Sequence, residues 1–277
     1  LFHPEGDTTE TLEIPTDEDE MIRAIEKLRK AVERARPKKG RLRGFLTLAL
    51  LTAGVSAAIF LLPNAVVDQA IKVVPDVKRA EIGNALLTQM QRATGKPCSS
   101  PSANPALVAL TRRMTLGEEP TYLAVMRAGV KEAIHIPGGV ILLSRTMVED
   151  YESPDVLAGY IIAEQVRRET RDPLRHLLES AGLVATLRLL TTSRMPESAI
   201  EDHAKQLLTE KRAPLPTPAL LARFETLEIP SSTYGYAVDV TGELTLPLIE
   251  GDPLAGATQE PVLPDSAWVR LQAICEG

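Results

Sequence analysis

Twenty-four consecutive residues, Gly44 to Val67, carry no formal charge, and Phe45 to Leu62 are almost wholly apolar. A helix rises about 1.5 Å per residue, so roughly 20 such residues cross a hydrocarbon core of about 30 Å. Residues 44–67 therefore read as a transmembrane helix. A buried core helix is the competing assignment, but over this length it would normally keep a polar face. A cleaved signal peptide fits less well, because 43 residues precede the run and no A-x-A-like site follows it. The first residue is not Met, and an upstream portion is expected.

Charge placement sets an expected orientation. Residues 21–43 hold ten Lys or Arg against two acids, densest in Arg34, Arg36, Lys38, Lys39, Arg41 and Arg43, whereas Asp68 to Glu81 hold three of each. The positive-inside rule then puts residues 1–43 in the cytoplasm and residues 68–277 outside. In a Gram-negative cell this means a single-pass inner-membrane protein with a periplasmic C-terminal domain. The outer segment holds 27 acids and 21 bases, so nothing points to nucleic acid, and the basic cluster reads as a topology signal. The outer segment is long enough for one soluble domain. Cys98 lies early in it and Cys275 almost at its end. On an oxidising side the two can form a bridge that ties the domain's ends together, and two buried thiols are the alternative.

The periodicity gives a helix-rich α+β domain. Before the span, Asp17 to Arg36 reads as a helix, with Met21, Ile25, Leu28 and Val32 at heptad-like spacing and Asp17 with Glu20 as a capping box. Beyond it, helices are expected over Val77 to Thr94 and Ala106 to Met114, then strands at Tyr122 to Met126 and, as a pair, within Ala133 to Ser144. Ser153 and Pro154 have the chemistry of an N-cap and first helical residue, and Asp172 with Pro173 stops that helix and starts the next, Leu174 to Leu190. Ser198 to Lys211, Pro218 to Thr226 and Ser266 to Cys275 read as further helices. Tyr236 to Val240 and Leu244 to Ile249 read as a hairpin around Thr241-Gly242-Glu243.

One stretch carries a chemical pattern. It reads I-H-I-P-G-G-V-I-L-L-S-R from Ile134, then P-D-V-L-A-G-Y-I-I-A-E-Q-V-R-R-E from Pro154. This resembles the membrane-anchored HExxH zinc metallopeptidases of the HtpX-like class, the group that includes the beta-barrel assembly-enhancing proteases. In that family a Pro-Gly-Gly turn, a strand, a short helix and a helix ending in L-A-x-x-x-A-H-E-x-x-H follow in this order. Pro137, Gly138 and Gly139 fit the turn, Val140 to Ser144 the strand, and Asp155, Leu157, Ala158 and Ala163 the helix. The metal positions depart from it. Glu164 stands for the first histidine, Gln165 for the catalytic glutamate and Arg168 for the second histidine. Glu201, in E-D-H-A-K, is a weak counterpart of the family's third ligand and reads better as a solvated helix residue.

These replacements remove the chemistry. Glu164 could still bind a cation, but the guanidinium of Arg168 only donates and repels one, and the amide of Gln165 has no useful basicity. Glu164 and Arg168 stand at the spacing of a helical ion pair. The resemblance implies a zincin-like outer domain, a degenerate peptidase with no metal and no cofactor. It also implies polypeptide binding at Pro137, Gly138, Gly139, Val140, Ile141 and Leu142, with Val140 to Ser144 as the edge that takes a strand. The expected partners are membrane or exported proteins or a larger membrane complex, besides the bilayer. An active peptidase with an altered metal site and an unrelated amphipathic helix are the competing readings. His3, His135, His176 and His203 are scattered, with no i, i+4 pair of ligands, and His135, beside the turn where the family's substrate strand runs, is expected at the surface, with a place facing the cleft as the alternative. No G-x-S-x-G or Gly-rich nucleotide motif occurs. Tyr234 and Tyr236 read as packing residues.

Overall fold

The computed structural model describes residues 19–35, 41–115, 121–257 and 260–276, with 9, 11 and 117. The chain divides into two compact units, Leu1–Ile59 and Phe60–Gly277. In the first, α1 (Asp19–Ala35) leaves Met21, Leu28 and Val32 exposed among the described residues. Asp17, half of the expected capping box, lies outside the described residues.

The uncharged run is helical. Helix α2 (Arg41–Val73) is long and apolar enough from Phe45 to cross a membrane, and Phe45 and Leu50 are 70% and 72% exposed. The helix continues past the expected end at Val67. Val67 and Ala70 are buried in the core of the second unit, and Asp68 pairs with Arg175. The turn after it is locked by Arg79, whose guanidinium donates to Ile71 O (2.6 Å) and to Asp172 Oδ2 (2.7 Å).

The second unit is built on a mixed sheet of three strands. Helices α3 (Asp76–Thr94) and α4 (Asn104–Met114) precede β1 (Tyr122–Met126), β2 (Ala133–Ile136) and β3 (Val140–Ser144). The spatial order is β1-β3-β2, with β1 parallel and β2 antiparallel to β3. Side chains alternate across the strands. Leu123, Val125, Ile141 and Leu143 face one core, while Met126, Ile134, Ile136 and Leu142 face the other. The strands are therefore buried on both sides, which is why they read as apolar runs.

The first core is covered by α4, α5 (Arg145–Glu149), α6 (Pro154–Thr170), α9 (Thr217–Thr226) and α12 (Asp265–Gln272), with Phe224 and Trp268 fully enclosed. The second is covered by α3, α7 (Pro173–Thr192) and α8 (Glu197–Thr209). Helix α6 is buried from Pro154 through Val166 on every face. Its start is the expected one: Ser153 accepts from Asp155 N at 3.2 Å, and Pro154 fills the first turn. Asp172 caps α7 through Leu174 N at 2.7 Å.

The bridge between Cys98 and Cys275 is present, with Cα atoms 4.8 Å apart. It fixes the C-terminus against β1, since Cys98 N donates to Val125 O and Arg127 donates to Cys275 O. One expectation fails. Residues 236–249 form no hairpin but the end of α10 (Ser231–Val238), a loop, and α11 (Leu246–Glu250). The Asp239 carboxylate accepts from Thr241 N and Leu244 N, at 3.1 and 2.8 Å, and winds the loop locally. Thr245 Oγ1 then donates to Gly235 O, closing α10 on α11 instead of pairing strands.

Candidate binding cleft

The expected recognition strand is the central one. Both edges of Val140, Ile141 and Leu142 are hydrogen-bonded to neighbours, so β3 has no edge to offer a ligand. Pro137, Gly138 and Gly139 form the β2–β3 turn, as predicted, with φ of 85° and 79° at the two glycines. The turn packs on α3, where a Cβ on Gly83 would lie 1.9 Å from Pro137 O. The strand next to α6 is β2, and two of its outward backbone groups are occupied by charged side chains. His135 N donates to Glu164 Oε2 at 3.0 Å, and Arg212 donates to Ala133 O at 3.1 Å. At these two groups the edge does not pair with another chain until the side chains leave.

Glu164 is 3% exposed, and its second oxygen pairs with Arg167 at 3.0 Å. Arg167, one residue before the expected Arg168, is thus a partner of this carboxylate. Arg167 also donates to Ala213 O at 2.7 Å. Gln165 turns away from β2 into the first core, where Nε2 donates to Met114 O at 2.7 Å. Burial lowers the pKa of Arg168, opposed by Glu169 and Asp172, and the group stays charged. Glu201 lies on α8 and is paired with Lys205 at 2.8 Å in solvent, so it is a surface helix residue. Among the described residues no three His, Cys, Asp or Glu side chains come together in a metal-binding group.

His135 is not at the surface. It is 8% exposed on β2, and burial lowers its pKa, with the Glu164 carbonyl and carboxylate opposing. Its Nδ1 lies 3.3 Å from Glu164 O, while Nε2 has no hydrogen-bond partner.

Three cavities surround this region. The first, about 580 Å³, lies between the start of β2, the extended segment 210–216 and helices α10 and α11. Leu215, Leu220, Tyr234, Val238, Leu244 and Leu248 give it an apolar wall. Leu244, in its lining, is 88% exposed, and the same stretch of chain holds out Val240 (86% exposed), Tyr236 and Leu246. Tyr234 packs on Gly159 of α6 and edge-on to Tyr160, ring centroids 5.1 Å apart, as a packing residue should. The second, about 750 Å³, lies between α3, the 137–139 turn and the end of α6.

The third cavity, about 290 Å³, adjoins the first across segment 210–216. It is lined by Arg167, Arg168, Arg171, Lys211 and Arg212 against Glu164 and Glu210, a formal excess of three positive charges in an acidic domain. His176 and His203 stack edge-to-face nearby at 4.8 Å, and burial together with the neighbouring ring lowers the pKa of His203 to about 4. Sequence reasoning missed this basic cluster, because it joins the last turns of α6 to a segment some 40 residues later. The only local signal was K-R-A-P-L-P after a helix, a pattern of extended chain.

No protein-family model matches the chain, and a search of curated proteins finds no match either.

Proposed function

We propose that this chain is a single-span membrane protein whose outer domain binds polypeptide without cleaving it, as a degenerate relative of the HtpX-like peptidases. The observation that carries the binding reading is the cavity with an apolar wall beside α10 and α11, whose lining residue Leu244 stands almost fully in solvent, as does Val240 four residues before it in the same loop. Large aliphatic side chains held out by a fixed loop, next to a cavity, mark an interaction surface. The non-hydrolytic half rests on α6. Glu164 and Gln165 are committed to hydrogen bonds that hold β2 and α4, and Arg168 puts a permanent cation beside them.

The turn, strand, short helix and buried helix stand in the order the family uses, which supports the kinship and a zincin-like fold. The basic flank before α2 supports a cytoplasmic N-terminus and an outer, periplasmic domain in an inner membrane. The disulfide is consistent with that side. Partners of this chemistry are membrane or exported proteins, held as clients or as subunits of one complex. Site-specific photocrosslinking from position 244 in intact membranes tests this. Discrete protein adducts that disappear in Val240→Asp are expected, and the absence of adducts above those from exposed Thr191 would refute it.

A further inference from the structure

We infer that the second half of α7 seats the outer domain on the lipid surface around α2, with Val184 and Leu187 in the headgroup boundary and Arg188 on lipid phosphate. The inference rests on the single-span reading above and goes beyond the polypeptide cavity, which other elements line. The placement comes from the way α7 meets the end of α2. Arg79 ties Asp172, the cap of α7, to the carbonyl of Ile71, and Arg175 pairs with Asp68. Three residues forward along α7 thus match three residues back along α2, so the two helices run side by side in opposite directions. Leu174, Leu177 and Leu178 share one core with Val67 and Ala70. Gly182 is seven residues beyond Arg175, about 10 Å of helix. The same distance back from Asp68 reaches Leu61, which belongs to the uncharged run and is 68% exposed. At that level α7 breaks. Gly182 takes a φ of 80°, a left-handed value that suits glycine, and the helix resumes beyond a kink.

The chain beyond the kink has the chemistry of a lipid-facing surface. From Ser180 to Ser193 it carries one charge, Arg188, in a domain rich in charge elsewhere. Ala185, Thr186 and Leu189 are buried, while Val184 is 81% and Leu187 43% exposed. Val184 is two residues past the break, so it stays near the level of Leu61 whichever way the kink turns. Arg188 is exposed one turn from Val184, on the same side of the helix. Its guanidinium matches a phosphate, and its stem lies readily along apolar surface. A second copy of the chain would also cover these side chains. The bilayer is favoured because α2 already reaches it at this level, whereas two exposed aliphatic residues bury far less than a stable protein interface needs.

The test uses the full chain, one per disc, in nanodiscs of phosphatidylethanolamine and phosphatidylglycerol. Val184→Cys, Val77→Cys and Leu51→Cys are made singly and labelled with the polarity-sensitive dye NBD, the native cysteines being held in their bridge. Val77, 83% exposed, is the control: it follows the C-terminal end of α2, about 18 Å of helix beyond Leu61. A lipid nitroxide near the top of the acyl chain should quench the probe at 184 more than one at the chain end, as for a side chain about 5–10 Å into the boundary. The order should reverse at 51, and neither lipid should quench at 77. Quenching at 51 without quenching at 184 overturns the inference and leaves the span standing. No quenching at 51 overturns both. Equal quenching at 184 and 77 means that the domain meets lipid through no defined face, and this overturns the inference. A probe at 184 that lipid nitroxides do not reach, but that shifts to the blue when discs hold two chains, marks a second copy as the occupant and overturns it as well.

Discussion

Removing the Glu164 side chain separates a structural role for this position from a metal-binding one. In Glu164→Ala the His135 N–H loses its acceptor in a place where water does not reach it, at a cost of about 1–3 kcal/mol. Arg167 loses its ion pair, but it is one-fifth exposed and keeps Ala213 O, so its share is about 1 kcal/mol or less. Deleting the buried methylene adds about 1 kcal/mol, and the better helix propensity of Ala returns a few tenths. The total is a loss of about 3 kcal/mol. Glu164→Gln keeps one acceptor for the His135 N–H and gives up the charge, so it should lose about 1 kcal/mol. Urea unfolding of the full chain in micelles, followed by circular dichroism at constant slope, measures both. An alanine variant within about 0.5 kcal/mol of the wild type, or a glutamine variant as damaged as the alanine one, would refute the hydrogen-bond argument. A ligand role predicts the opposite pattern: activity lost and stability spared.

Three further outcomes follow from the packing. Gly83→Ala should destabilise by about 3 kcal/mol, because its Cβ would meet Pro137 O at 1.9 Å and push α3 off the β2–β3 turn, which the same urea titration reports. Cys98→Ser with Cys275→Ser should lower stability by roughly 3–5 kcal/mol, since the bridge spans 177 positions, and wild-type protein under reductant should match the double variant. The folded His203 pKa, about 4, lies below its ordinary value of 6.5, so the unfolded chain binds the proton more readily between the two. Stability from this site is complete above pH 6.5 and is lost as pH falls toward 4, by roughly 2–3 kcal/mol. His203→Gln should flatten that decline, and an unchanged slope would show that other groups carry it.

Local chemistry was the most legible part of the fold. The Ser153-Pro154 and Asp172-Pro173 signals mark the ends of α6 and α7, because capping needs only neighbours in sequence. The span was legible for the same reason, although its last turns were not. Val67 and Ala70 are buried by the domain, and nothing within the run announces that. The 236–249 segment misled because Tyr, Val and Ile suit a strand by propensity, while the Asp239 turn and the Thr245–Gly235 bond favour helices. Strand order was out of reach as well. A turn between two strands says that they pair, but the parallel return of β1 to β3 moves the edge to β2. The resemblance singled out Glu164 and Gln165, but their partners were not legible. Glu164 meets a backbone N–H 29 residues earlier, and the basic cavity joins segments far apart in sequence.

The most direct measurement is zinc content together with peptide hydrolysis, on full chain purified from zinc-supplemented cells. The positions on α6 are occupied by hydrogen bonds and a guanidinium, so the account predicts far less than one equivalent of metal and no cleavage of an unfolded protein substrate. One tightly held zinc per chain that is lost in Glu164→Ala, with hydrolysis lost alongside it, would contradict the account.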